Sequence, residues 1–80
     1  MADNSNVIAT LPKGLTEQVQ IALSEFKGRK YLDLRVFYTT DDGKSWLPTK
    51  KGVTFAPEQL ELLAEAVQTA MSEFGVTPEA

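Results

Sequence analysis

Apolar and polar residues alternate from Glu17 to Phe26. Val19, Ile21 and Leu23 fall on one side of an extended chain, and Gln18, Gln20, Ala22 and Ser24 on the other. That is the signature of a half-buried strand. Parity places Phe26 on the polar side, an unusual position for a large ring. A second long strand is predicted from Tyr31 to Thr39, a run rich in β-branched and aromatic residues. There Leu32, Leu34, Val36 and Tyr38 share one face, and Tyr31, Asp33, Arg35 and Phe37 the other. The Leu/Val side must be the core side, because burying Asp33 and Arg35 unpaired is costly. Lys27-Gly28-Arg29 reads as the turn between the two strands, with Gly28 tolerating positive φ. Asp42-Gly43 is a second hairpin signal. Ser45 to Pro48 predicts a third strand, which Pro48 confines to an edge or a bulge. Lys51 to Phe55 predicts a fourth, after a flexible Thr49-Lys50-Lys51-Gly52 stretch. Upstream, Val7 to Leu11 is a short apolar segment closed by Pro12 and Gly14, which can serve as an edge strand beside these four.

The period then changes. Leu60, Leu63, Val67, Ala70, Met71 and Phe74 recur at helical spacing. Pro57 suits the first helical position, Glu58 and Glu61 suit the positive end of the helix dipole, and Gly75 followed by Pro78 ends the run. Ala56 is a weak cap. The predicted helix is about 18 residues, roughly 27 Å long. The fold class is therefore α+β: a four-stranded antiparallel sheet followed by one C-terminal helix that covers one sheet face. Residues 1–6 read as a tail, 7–76 as a single domain and 77–80 as a second tail. Four strands and a helix enclose only a thin core, and domains this small often gain stability by association. Leu62, Ala64 and Ala66 widen the apolar stripe beyond what one sheet needs. They suggest a dimer through the helix; as ordinary flank positions they require no partner.

Composition narrows the chemistry. The chain has no cysteine and no histidine, so thiol nucleophiles, Cys- or His-based metal sites and the commonest general base are excluded. Ser24 and Ser45 therefore lack a His partner, and the isolated glycines form no phosphate loop. Asp41-Asp42 is better explained by the turn it opens than by catalysis or a metal. No apolar run is long enough to span a bilayer, and residues 1–6 lack the features of a secretory signal. The expected compartment is the cytosol or the nucleus. An enzyme is not expected, and no cofactor or metal is called for.

Charge changes the picture further. The net charge is −3, yet seven of the eight Lys and Arg residues lie between 27 and 51, while residues 52–80 carry five Glu and no basic residue. Five of the seven aromatics lie between residues 26 and 46, interleaved with those cations. Cations match phosphates and flat rings receive unstacked bases. A duplex reader would want basic residues on the helix for the major groove, and this helix has none. The sheet is thus the candidate surface and unpaired strands the candidate ligand. On the residues alone, rings that merely close the edges of a small core explain the pattern about as well.

Four motifs occur in order: Phe26-Lys27-Gly28, Leu32-Asp33-Leu34-Arg35, Pro48-Thr49-Lys50-Lys51-Gly52-Val53-Thr54 and Pro57-Glu58-Gln59. With these spacings the segment from about Val19 to Phe74 resembles the single-stranded-DNA-binding domain of the positive cofactor four transcriptional coactivator family, in its compact bacterial and phage form. The resemblance implies a curved four-stranded sheet, a homodimer with helices packed together, and low-specificity binding of single-stranded DNA. It implies a stacking role for Phe26, phosphate contacts by Lys27 and Arg29, and further basic contacts by Arg35, Lys50 and Lys51. Tyr38 occupies the place of a stacking ring in eukaryotic members, although alternation sets it on the Leu32/Leu34 side. A bulge near Val36, or curvature that carries that end of the strand past the core, would reconcile the two, and Phe37 could then replace Tyr38. Trp46 lies in a hairpin one residue longer than the eukaryotic pattern and is a further candidate ring. The implied partners are single-stranded DNA (RNA and melted duplex present the same chemistry), a second copy of the chain, and the transcription machinery, with no membrane. By this reading the chain would be nucleoid-associated in a bacterium and nuclear in a eukaryote. The competing expectation is a protein-binding adaptor dimer that never touches nucleic acid.

Overall fold

The computed structural model describes residues 6–77. Four antiparallel strands, β1 (Asn6–Pro12), β2 (Glu17–Phe26), β3 (Arg29–Tyr38) and β4 (Leu47–Phe55), lie in chain order in one sheet. A 3₁₀ turn, Pro57–Gln59, leads into α1, Leu60–Phe74. Asn6, expected to be the last residue of a tail, instead opens β1, opposite Leu23. The rest of the expected tails, residues 1–5 and 78–80, lies outside the described residues. Ser45–Pro48 and Lys51–Phe55, expected as two strands, form the single strand β4. Its pairing with β3 is interrupted between Arg35 and Phe37. The bulge, not a turn, absorbs the extra residues, because Pro48 re-enters the ladder opposite Phe37.

The β2–β3 ladder runs without interruption from Glu17–Tyr38 to Phe26–Arg29. Strict alternation therefore assigns every side chain to a face. Val19, Ile21 and Leu23 lie opposite Val36, Leu34 and Leu32, and β4 adds Val53 and Phe55 beside Leu34 and Leu32. This is the apolar face. The polar face pairs Gln20 with Arg35, Ala22 with Asp33, Ser24 with Tyr31 and Phe26 with Arg29. In the β2–β3 turn, Lys27 and Gly28 both have positive φ, 55° and 79°. Two such residues match the right-handed twist of the flanking strands in a two-residue hairpin.

The expectation that the helix covers one sheet face is not met. α1 packs chiefly on the 3₁₀ turn that precedes it and makes no extended contact with any strand. At its start, Leu60 and the preceding Pro57 border a hollow of about 250 Å³ with Leu23 and Leu32 of the sheet. The Cα radius of gyration is 14.4 Å, where a packed chain of this length would have about 12 Å. No described side chain is fully buried; only Ala22 and Thr39 count as buried at all. Leu62 is 73% and Phe74 78% exposed. Gln59 compensates for the weak Ala56 cap. Its Oε1 accepts the Ala56 N–H at 2.9 Å, and its own N–H donates to the Ala56 carbonyl. Gly75, at φ 73°, ends the helix as expected.

Candidate nucleic-acid interface

The β2–β3 turn gathers two rings and two cations. Phe26 and Tyr31 lie on the polar face, and with Ser24 and Thr54 they line a groove of about 270 Å³. The Lys27 ammonium sits 5.3 Å from the Phe26 ring centre, and the Arg29 guanidinium carbon 5.9 Å from that of Tyr31. Phe26 is 64% exposed, so its ring is open to a stacking partner. These pairs are cation–π contacts on an exposed surface, about 0.5–1 kcal/mol each. They hold a positive charge beside a ring face rather than build a core. Arg29 also faces Glu58 of the 3₁₀ turn at 3.8 Å, a well-solvated pair.

Tyr31 is absent from the site residues that sequence reasoning singles out. Its signal is there: alternation places it on the side of Arg35 and two rungs from Phe26. The resemblance points to Tyr38 instead. Tyr38 pairs with Glu17 and Leu47 on the apolar face, so the structure does not bring it to Phe26. The bulge that would have reconciled the two is on β4, not on β3, and Phe37 is the ring that shares the polar face, opposite Gln18 and Pro48.

Trp46 and the lysine pair mark the other end of the sheet. β3 runs ten residues from Arg29 to Tyr38, about 30 Å of strand. Trp46 precedes β4 there, its ring over Gly43, where an added Cβ would sit 3.8 Å from Cζ2. Lys50 and Lys51 lie in the β4 bulge, exposed. Among the described residues, Lys27, Lys30, Lys44, Lys50 and Lys51 have no carboxylate within salt-bridge distance. Arg35 differs. Its Nε and Nη2 donate to the two carboxylate oxygens of Asp33, at 3.3 and 3.1 Å, and Nη1 donates to the Thr49 carbonyl at 3.2 Å.

The loop before β4 is organised by Asp41. The Ser45 hydroxyl and N–H donate to its two oxygens at 2.7 and 3.0 Å, and the Thr39 hydroxyl donates at 2.8 Å. These bonds, those from Ser45 first, hold its carboxyl down at about 2. The buried Thr39 hydroxyl in turn accepts the Gly43 N–H at 2.9 Å. Asp42 and Gly43 take the positive φ values of 62° and 86° that the turn signal implied. Asp41 is thus engaged as a loop organiser, and no cluster of three carboxylates forms among the described residues.

The profile of the family described as "Transcriptional Coactivator p15 (PC4)" matches residues 13–66, a span that includes every candidate contact and ends inside α1. A Drosophila melanogaster protein described as an RNA polymerase II transcriptional coactivator is 41% identical over 49 residues, which is 61% of this chain and 43% of that protein. This chain therefore spans less than half the length of the fly relative. A PC4 homologue from Burkholderia pseudomallei has a similar structure, with a TM-score of 0.76 and 28% identity, over 88% of this chain and 93% of that one. A bacteriophage T5 homologue of PC4, described as implicated in recombination-dependent DNA replication, superposes with a TM-score of 0.67 at 30% identity. It covers 94% of this chain and 83% of its own.

Proposed function

Since this chain belongs to the PC4 transcriptional coactivator family, we propose that it is a non-catalytic module that binds single-stranded DNA with little sequence preference. One observation carries this reading: on a single sheet face, an exposed Phe26 ring and the Tyr31 ring stand beside Lys27 and Arg29. Unpaired bases stack on such rings whatever their identity, and the cations take the flanking phosphates. The acidic helix offers nothing to a duplex major groove. Lys50, Lys51 and Trp46 extend the track toward the far end of the strand, so one bound strand would run the length of β3.

The active form we propose is a homodimer. Leu62, Val67 and Phe74 on α1 and Leu23 and Val53 on the sheet are exposed in the single chain. Burying such apolar area contributes about 25 cal/mol per Å², and a second copy supplies a matching surface. The cellular role would be that of the family, a coactivator working where DNA strands are open, in the nucleoid or the nucleus. Among the described residues no helix is long and apolar enough to cross a membrane.

Fluorescence anisotropy with labelled oligothymidine and a matched duplex, each at two salt concentrations, tests the binding reading. Tighter binding of the single strand, weakening as salt rises, is the expected result. Equal affinity for duplex would remove the stacking argument, and indifference to salt the phosphate argument.

A further inference from the structure

We propose that Arg35 is a positioning residue that shapes the β4 bulge so that Lys50 and Lys51 meet phosphate, rather than a phosphate ligand itself. The inference rests on the single-stranded-DNA reading above. Three of the guanidinium's donors are engaged within the protomer: two on the Asp33 carboxylate and one on the Thr49 carbonyl. The carboxylate also balances the charge. A phosphate arriving at Arg35 would find only two of its five N–H groups free and its charge already balanced by a carboxylate held in a two-point fork.

The other partners explain why that fork matters. Between Phe37–Pro48 and Arg35–Gly52, β4 carries Thr49, Lys50 and Lys51 opposite Val36 alone. Such a bulge removes carbonyls and amides from the ladder, and they need other partners. Arg35 takes the Thr49 carbonyl. The Thr49 hydroxyl donates to the Val36 carbonyl at 2.7 Å and accepts the Lys51 N–H at 3.1 Å. Gly52 completes the clamp: a Cβ there would stand 2.8 Å from the Leu34 carbonyl oxygen and 2.9 Å from the Arg35 Cζ. The β4 backbone can pass against the guanidinium only because residue 52 has no side chain. Asp33, Arg35, Thr49 and Gly52 therefore form one unit, and what it leaves exposed is the lysine pair.

The two roles for Arg35 predict opposite signs for Asp33→Asn. If Arg35 binds phosphate, removing its anionic competitor tightens DNA binding. If it holds the bulge, the same change loosens the fork and weakens binding. We expect Asp33→Asn and Arg35→Lys to weaken oligothymidine binding by about fivefold at 0.1 M salt for each lysine that no longer reaches a phosphate, with the salt slope reduced by about 0.7 for each. In a Lys50→Gln/Lys51→Gln background, Arg35→Lys should add no further weakening. Thr49→Val alters no charge and should reproduce both the weaker binding and the reduced slope, so the test survives if Asp33→Asn fails to fold by circular dichroism. Tighter binding by Asp33→Asn, an additive effect of Arg35→Lys, or wild-type behaviour of Thr49→Val would each overturn the positioning role. Wild-type chain that binds no oligothymidine would overturn the single-stranded-DNA reading and this inference with it; wild-type binding with any of the three adverse results overturns the positioning role alone.

Discussion

The two faces of one sheet are built from the same strands and answer to different surroundings. On the polar face the charged groups find partners nearby: Asp33 with Arg35, and Arg29 beside Tyr31. On the apolar face Val19, Ile21, Leu34, Val36 and Val53 line up across three strands, and α1 does not cover them. The first face is largely finished within the chain apart from the exposed Phe26 ring. The second is unfinished without a second apolar surface. A strand must serve two environments because its side chains alternate; we propose nucleic acid for one and a second copy for the other.

The largest expected effect is on the apolar face. Leu34→Asp puts an unpaired carboxylate in the middle of that face, beside Ile21 and Val53. It should destabilise the fold by more than about 3 kcal/mol and abolish the proposed dimer. Gln20→Glu, on the polar face one residue from Ile21, should stay within about 0.5 kcal/mol. Urea unfolding and sedimentation velocity measure both, and similar destabilisation by the two would erase the distinction between the faces. Next in size, Phe26→Ala should cost about 1–3 kcal/mol of oligothymidine binding per stacked base and leave the unfolding midpoint nearly unchanged. Tyr38→Ala, on the other face, should weaken binding far less; an equal effect would mean that DNA reaches around the sheet edge.

The smallest effect concerns the loop that belongs to neither face. The Asp41 carboxyl is lowered in the fold from 3.8 to about 2. A depressed folded-state value stabilises the loop above about pH 4, and that stabilisation is lost as pH falls toward 2. Acid titration of Trp46 emission should show this step, because the ring lies over Gly43 of the same loop. Asp41→Asn should abolish the step.

Much of this architecture is legible in the residues. Alternation locates β2 and the side on which Phe26 falls. Lys27-Gly28, Asp42-Gly43 and Gly75 mark two turns and a helix end, because each needs a backbone conformation few residues accept. The departures share a cause. The residues predict two short strands where β4 is one, because the link across the bulge depends on Arg35 and Val36, more than ten residues away. They lay the helix on its own sheet because its apolar stripe calls for a cover without saying whose. Tyr31 is counted among the interleaved rings but not singled out as a contact, although its parity is right. For Tyr38, family resemblance and parity disagree, and the uninterrupted β2–β3 register upholds parity on its placement.

Local chemistry along the chain was enough for element type, turn position and the choice of face, since period, φ preference and side-chain polarity act over a few residues. Register across strands, the partners of Arg35 and the stance of α1 emerged only with the fold. They depend on which distant groups meet, and a linear pattern of polarity carries no distance.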